Sequence, residues 1–466
     1  MGPANGRASV RSGRTMRACA MGVALALLAG ACGGDDEPAA DEPAATEPAA
    51  TEPAATEPAA TEPVGTDVPD ETATTEGDAA GSDDPNKAFP SLAPPTGEPI
   101  VLGLVNTEGT PGLDFPDIRL NIAGAIEYLN EHGGIGGRPI EIENCTVNGS
   151  PETSQACAQE LTGKGVELVM LGLDLFPDYA TYPAADVPVV GVLPILPGDY
   201  AADALFLTGG NATTMAAAAN VAKNHFGATN VAIVSADNAG ANSTEASLTA
   251  ALDKAGIAHT TVKGGDNETD AGFQGLMREA ASGDPDLLFS LYSDAGCIGT
   301  MRGRASLGIE IPVITTGICS GAEVIEQVGD DAVGWNFIGV STQQETPELA
   351  ILQDIMGPVL GVEPSEVDST ALGLGGLGLF LIMSIASYGN QMADAGLEVT
   401  GQGIYEFLGS TDGLTLWPSG APIDCGAAAA YPTICSFTFP FAEYVEGGQV
   451  LTIEGLDAVS SVEYLP

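Results

Sequence analysis

The sequence predicts an α/β protein built as two lobes, each a parallel sheet with helices on both faces. Short apolar runs alternate with segments of helical spacing from residue 99 onward, the pattern of successive βαβ units. Of the 466 residues, those beyond Glu98 are too many for one core, which rarely grows past about 300 residues. Right-handed connections between neighbouring strands then make a doubly wound sheet the default in each lobe.

The opening unit spans residues 99–145. Ile100, Val101, Leu102, Leu104 and Val105 form an apolar run expected of a buried parallel strand. A loop over 106–115 follows. Leu120, Ala123, Ile126, Tyr128 and Leu129 then recur at helical spacing, with Asp117 as the expected N-cap and His132-Gly133-Gly134 as the stop. A strand over 140–145 closes the unit. The same rhythm predicts a helix over 152–164, a strand over 166–171, a short helix over 178–185 and strands over 187–192 and 204–207. A helix over 211–226 leads into strand 231–234, which opens the second lobe. Helices over 243–255, 273–281 and 299–307 and strands over 260–262, 287–291 and 312–315 continue the alternation. Residues 437–451 alternate apolar and polar around Glu446-Gly447-Gly448, a hairpin signal.

Upstream of this the chain cannot fold. Arg7, Arg11, Arg14 and Arg17 precede an apolar run over 18–28, which reads as a secretory signal over residues 1–31. Leu28-Ala29-Gly30-Ala31-Cys32 resembles a bacterial lipobox, which implies a lipid on Cys32. The apolar run falls short of the ~20 residues a membrane span needs. Residues 32–98 repeat Glu, Pro, Ala and Thr with almost no large apolar side chains, the composition of an extended acidic tether.

Net charge is −49, and only nine Lys or Arg lie beyond Glu98. Nucleic acid and anionic membrane surfaces are therefore poor partners; solubility or a salty habitat is the expected reason for the charge, with a cationic ligand as the alternative. Of eight cysteines, Cys19 leaves with the signal and Cys32 carries the lipid. The remaining six allow 15 pairings. They fall into local couples, predicting Cys145–Cys157, Cys297–Cys319 and Cys425–Cys435. His132, His225 and His259 are isolated and no Cys-x-x-Cys occurs, so neither a metal nor another cofactor is expected.

Residues 371–386 invite two wrong readings. Gly373-Leu374-Gly375-Gly376-Leu377-Gly378 fits a dinucleotide fingerprint, but that motif needs a strand before it and residues 363–368 are polar. At 16 residues the segment is also short for a membrane span. A buried helix whose glycines permit close packing explains both features.

The opening unit, with its helix ending NEHGGIGGRPIEI, resembles the solute-binding proteins of ABC importers, more narrowly the Leu/Ile/Val-binding, type I periplasmic-binding fold. QACAQELTGKGVELVMLG, NVAIVSADNAG, the strand–helix pair over 287–308 and the Gly447-Gly448 hairpin extend the resemblance across nearly all of residues 99–466. It implies two Rossmann-like lobes joined by three chain crossings, near 208–212, 338–342 and 436–439. Lobe one is then 99–208 with 343–436, and lobe two 212–338 with 440–466. It also implies a ligand held between the lobes, beyond the carboxyl ends of the strands. The loops there cover 106–115, 172–178, 191–196, 235–242, 292–296 and 315–320.

The family's amino-acid site does not carry over. Its serine after the third strand meets Gly172-Leu173-Asp174, and its Ser-Ala-Thr after the fourth meets Val192-Leu193-Pro194-Ile195. Its ammonium-binding glutamate falls near Gly317 and its aromatic wall residue near Gly240. The lining that remains is Thr107, Glu108, Phe115, Asp174, Phe176, Leu193, Asp237, Asn238, Tyr292, Asp294, Thr315 and Thr316. Helix capping is the competing role for Asp174, Asp237 and Asp294, and packing for Phe115 and Phe176. Such a lining suits a neutral or cationic polar solute, or an apolar one.

The expectation is a lipid-anchored solute receptor on the outer face of the cell membrane that passes a small molecule to ABC permease subunits. The alternative is a ligand-sensing ectodomain or surface interaction module of the same fold. No Ser/His/Asp set or phosphate loop supports an enzyme.

Overall fold

A computed structural model describes residues 93–110, 114–340, 346–367, 372, 375–447 and 449–466. The signal, Cys32 and the tether through residue 92 lie outside the described residues. So do 111–113 of the first candidate loop, 341–342 of the second crossing, 371 and 373–374 of the glycine-rich segment, and Gly448.

β1 (Ile100–Thr107) opens the fold. Ile100, Leu102 and Leu104 face one apolar cluster and Val101 and Val105 the other, so the strand is covered on both sides. α1 (Pro116–Glu131) begins with Phe115, not Asp117, at its N-cap. Pro116 has no N–H to leave unpaired and so suits the first helical position. β2 (Ile140–Val147), α2 (Pro151–Lys164), β3 (Leu168–Leu171) and α3 (Thr181–Ala184) follow. α3 is shorter than expected: Ala180 takes the N-cap position, and the turn before it is held by Asp178, whose Oδ1 accepts from the amides of Ala180 and Thr181. β4 (Val189–Gly191) and β5 (Leu205–Phe206) complete a parallel sheet of order β2-β1-β3-β4-β5.

α4 (Gly210–Asn220) runs into a π-turn over Val221–His225, where a longer α-helix was expected. A second sheet is then laid down: β6 (Asn230–Ala236), α5 (Ala239–Ala255), β7 (Ala258–Gly264), α6 (Asp270–Ala281), β8 (Leu287–Leu291), α7 (Asp294–Ser306), β9 (Val313–Thr316), α8 (Ala322–Val328) and β10 (Trp335–Ile338). Its parallel part has the order β7-β6-β8-β9-β10, the winding of the first sheet repeated.

α9 (Pro347–Leu360) and α10 (Gly375–Asp394) return to pack on α1 and the first sheet, burying Ile355, Leu379, Ile382 and Ile385 against Ile118 and Ile122. α10 has 20 residues and extends to Asp394, beyond the expected end at Ala386. Tertiary contacts carry its polar second half: Asn390 is buried, with its Oδ1 accepting from the amide of Gly136. The glycines do permit close packing. A Cβ on Gly378 would stand 2.5 Å from the Ile118 carbonyl oxygen. No helix among the described residues is long and apolar enough to cross a membrane.

After α11 (Gly401–Ser410), β11 (Thr415–Leu416) and β12 (Ala421–Pro422) form a small ribbon. Ile434 bridges in parallel to Phe206 at the edge of the first sheet. The expected hairpin over 437–451 divides: β13 (Thr438–Phe439) stands apart from the antiparallel pair β14 (Phe441–Val445) and β15 (Gln449–Thr452). That pair joins the second sheet along β10, and β16 (Val459–Ser460) pairs with β13.

Cys145–Cys157 links β2 to α2, Cys297–Cys319 links α7 to the turn after β9, and Cys425–Cys435 closes a local loop. These are the expected pairs. Peptide mapping without reductant recovers the same three; a fragment joining Cys145 to Cys297 would contradict them.

Candidate ligand site

In an open parallel sheet the loops beyond the carboxyl ends of the strands are where ligands bind. In the first sheet these loops are tied together by Asn106, which is 1% exposed. Its Nδ2 donates to the Phe115 carbonyl at 2.8 Å and to Glu108 Oε1 at 3.1 Å, and its Oδ1 accepts from the Leu173 amide at 3.1 Å. Thr107 is equally buried, and its hydroxyl donates to the Leu173 carbonyl. Glu108 accepts a forked pair of bonds from Arg119 of α1, with Oε2–Nη2 at 3.0 Å. Phe115 and Leu193 are partly buried against the cluster beneath α1. The sequence pointed to Thr107 and Glu108 but passed over Asn106, because asparagine after an apolar run reads as an ordinary turn residue.

The loop after β3 holds a buried carboxylate. Asp174 is 3% exposed; its Oδ1 accepts from Ser154 Oγ at 2.7 Å and from the Phe176 amide at 3.0 Å. Burial raises its pKa, the two hydrogen bonds oppose that, and the charge of Asp199 adds to it. Phe176 itself stands out, 37% exposed. Asp199 is satisfied by Tyr179 Oη at 2.8 Å and by the amides of Ile195 and Leu196.

The second sheet's loops are joined in a similar way. Asn238 caps α5, its Oδ1 accepting from the Ala241 amide, and its Nδ2 donates to Asp266 beyond β7. Asp237 is exposed, with its amide bonded to the Gly264 carbonyl. Cys297–Cys319 ties the loop after β9 to α7. Asp294 is the first residue of α7, where Ser293 and not the aspartate takes the cap position. Thr316 ends β9, half-buried, while Thr315 is buried and donates to the Ser290 carbonyl.

Tyr292 sits at the right edge but turns inward. Its ring meets Phe273 of α6 edge-on at 5.6 Å, and its hydroxyl is buried without a partner. Burial, with the charges of Glu268 and Asp266, pushes its pKa up to about 12. The side chains of Thr107, Thr315 and Tyr292 are thus spent within their own sheets.

Among the described residues, the strand-end loops and the adjoining helix ends carry two basic side chains, and both are paired: Arg119 with Glu108, and Lys263 with Glu245 at 3.0 Å. Two surface cavities of about 300 Å³ and 280 Å³ lie elsewhere, one beside Pro95, His132 and Asp394, the other beside Gln274, Arg302 and Asp331. Among the described residues, no group of three His, Cys, Asp or Glu could hold a metal ion.

Two like-wound parallel sheets thus each present a set of loops at their carboxyl edges. The profile of the family described as periplasmic binding protein matches residues 99–356, and the chain belongs to that family. No curated protein matches the sequence. Solved structures share the fold. An ABC transporter substrate-binding protein from Sphaerobacter thermophilus aligns with TM-score 0.59 at 19% identity, over 79% of this chain and 100% of its own. A leucine binding protein from Thermotoga maritima gives 0.51 at 14%, over 78% and 99%. A solute binding protein from R. palustris, in complex with 4-hydroxybenzoate, gives 0.52 at 18%, over 77% and 96%. Of these three neighbours, the first and third are described as substrate- or solute-binding proteins of ABC transporters and the second as a leucine binding protein.

Proposed function

We propose that this chain is a lipid-anchored receptor on the outer face of the cell membrane, captures a small solute between its two sheets, and delivers it to an ABC permease. The observation that carries the reading is the pair of loop sets, each braced within its own sheet. Among the described residues no hydrogen bond or ion pair joins one set to the other. Loops rigid in themselves but unlinked to each other suit two lobes that close by hinge bending.

The lobes are proposed as 99–208 with 343–436 and 212–338 with 440–466. Cys32 is the lipidated residue and 32–98 the tether. Glu108, Phe115, Asp174, Phe176, Leu193, Asp237, Asn238, Asp294 and Thr316 are the proposed lining, with Thr107, Thr315 and Tyr292 as its buried support. Carboxylate ligands such as leucine or 4-hydroxybenzoate are not carried over, because the basic side chains at this edge are already paired.

A thermal-shift screen of amino acids, amides, amines and organic acids tests the reading. A ligand at a hundred times its Kd stabilises the folded state by about 2.7 kcal/mol, which raises the melting temperature measurably. If no solute of any class shifts the melt, the receptor reading fails.

A further inference from the structure

Asp174 is a buried carboxylate left half-used. Its Oδ1 takes both of its hydrogen bonds, from Ser154 and the Phe176 amide, and its Oδ2 takes none. None of the ion pairs formed by the described Lys and Arg side chains includes it. A second unfilled group lies beside it. Tyr182 of α3 is 1% exposed, its hydroxyl makes no hydrogen bond, and it is close enough for the Asp174 charge to act on it. Both residues are buried as a whole, yet Asp174 Oδ2 and the Tyr182 hydroxyl each still reach solvent, so a ligand's donor or charge can take the place of water there. Phe176, exposed two residues further on, offers an aromatic face near the same loop.

We infer that Asp174 is the counter-ion for a positively charged ligand, an amine or quaternary ammonium, held on the first sheet with the Tyr182 hydroxyl and Phe176 beside it. This rests on the receptor reading above and adds the sign of the ligand's charge. An ammonium placed there supplies the donor or the positive charge that Oδ2 lacks, and it offsets the desolvation of the carboxylate. The loop is the one that, in the amino-acid sites of the family the sequence resembles, offers a hydroxyl to a carboxylate; here it offers a carboxylate, so the sign of the recognised charge is reversed. A strongly acidic protein surface would also draw cations toward the site.

The test uses the full chain and calorimetric titration with methylammonium, tetramethylammonium, choline and putrescine, each compared with an uncharged analogue of similar shape. At least one amine binds, and its uncharged analogue binds at least tenfold more weakly. Asp174→Asn keeps the oxygen that accepts from Ser154 and the Phe176 amide, so it melts close to the parent while losing at least tenfold in amine affinity. Tyr182→Phe, which keeps the ring, loses about threefold. Affinity for tetramethylammonium, whose charge does not titrate, falls as pH drops through the raised pKa of Asp174, and this dependence is absent in Asp174→Asn. Amine binding that Asp174→Asn leaves unchanged overturns the proposal. Binding confined to neutral or anionic solutes also overturns it, while leaving the receptor reading intact. If no solute of any charge binds, both fall together.

Discussion

Replacing Asn106 by leucine lowers stability by roughly 3 kcal/mol and weakens ligand binding at least tenfold. The change is close to isosteric, so it opens little cavity; what it removes is three hydrogen bonds at a buried position. The Leu173 amide is left an orphan, at about 1–3 kcal/mol, and the Phe115 carbonyl keeps only the Ile118 amide as donor. The effect on binding has a geometric origin. Asn106 holds the loop after β1 against the loop after β3, and without it Glu108 and Asp174 no longer share a fixed frame. Asn106→Asp separates the two consequences. It keeps the acceptor for Leu173 but turns a carboxylate toward Glu108 and the Phe115 carbonyl, so its binding defect eases as pH falls and the new group is protonated. An Asn106→Leu protein that melts and binds like the parent would falsify the clamp.

Gly378→Ala destabilises by about 2 kcal/mol although alanine is the better helix former. In an open helix position the exchange stabilises by roughly 0.5–1 kcal/mol. Here the new methyl would stand 2.5 Å from a backbone oxygen of α1, and neither helix can yield locally. α1 and α10 must part, at the cost of overpacking, about 1–3 kcal/mol. Gly163→Ala in α2 is the matched control. Its Cβ meets nothing within 4 Å, so the same substitution there raises the melting temperature. Equal shifts in the two variants would show that glycine at 378 is not kept for packing.

How much of this was legible in the sequence depends on where the information sits. β1 and β8 were read almost to the residue, because a strand covered on both faces is a continuous apolar run whatever its neighbours are. The local disulfides followed from spacing. β10, α9 and α11 were not foreseen: Trp335–Ile338 is only four residues, and α9 carries an internal proline at Pro358. At the site, position along the chain was legible and direction was not. Tyr292 stands where the alternation put it, but Gly264 and Gly296 leave room for its ring to fold under α6. Arg119 carried no signal in the sequence; only the fold reveals that it is consumed by Glu108. Tyr182 lay within a helix of four residues, where nothing in the spacing marked its hydroxyl as unpaired.

The antiparallel pairing of β14 with β10 also fixes an order of events in time. Trp335–Ile338 are synthesised about a hundred residues before Phe441–Val445, the strand that covers their outer edge. Until then the second sheet presents an unpaired edge rich in buried-type side chains, a template for another chain. Its neighbour β9 and the strands beyond it can pair, but the sheet stays open on one side. The nascent chain therefore carries that open edge while about a hundred further residues are made, and its last acquired strands act as the latch that ends the exposure. Cutting the chain just before Phe441 would leave that edge bare and favour aggregation.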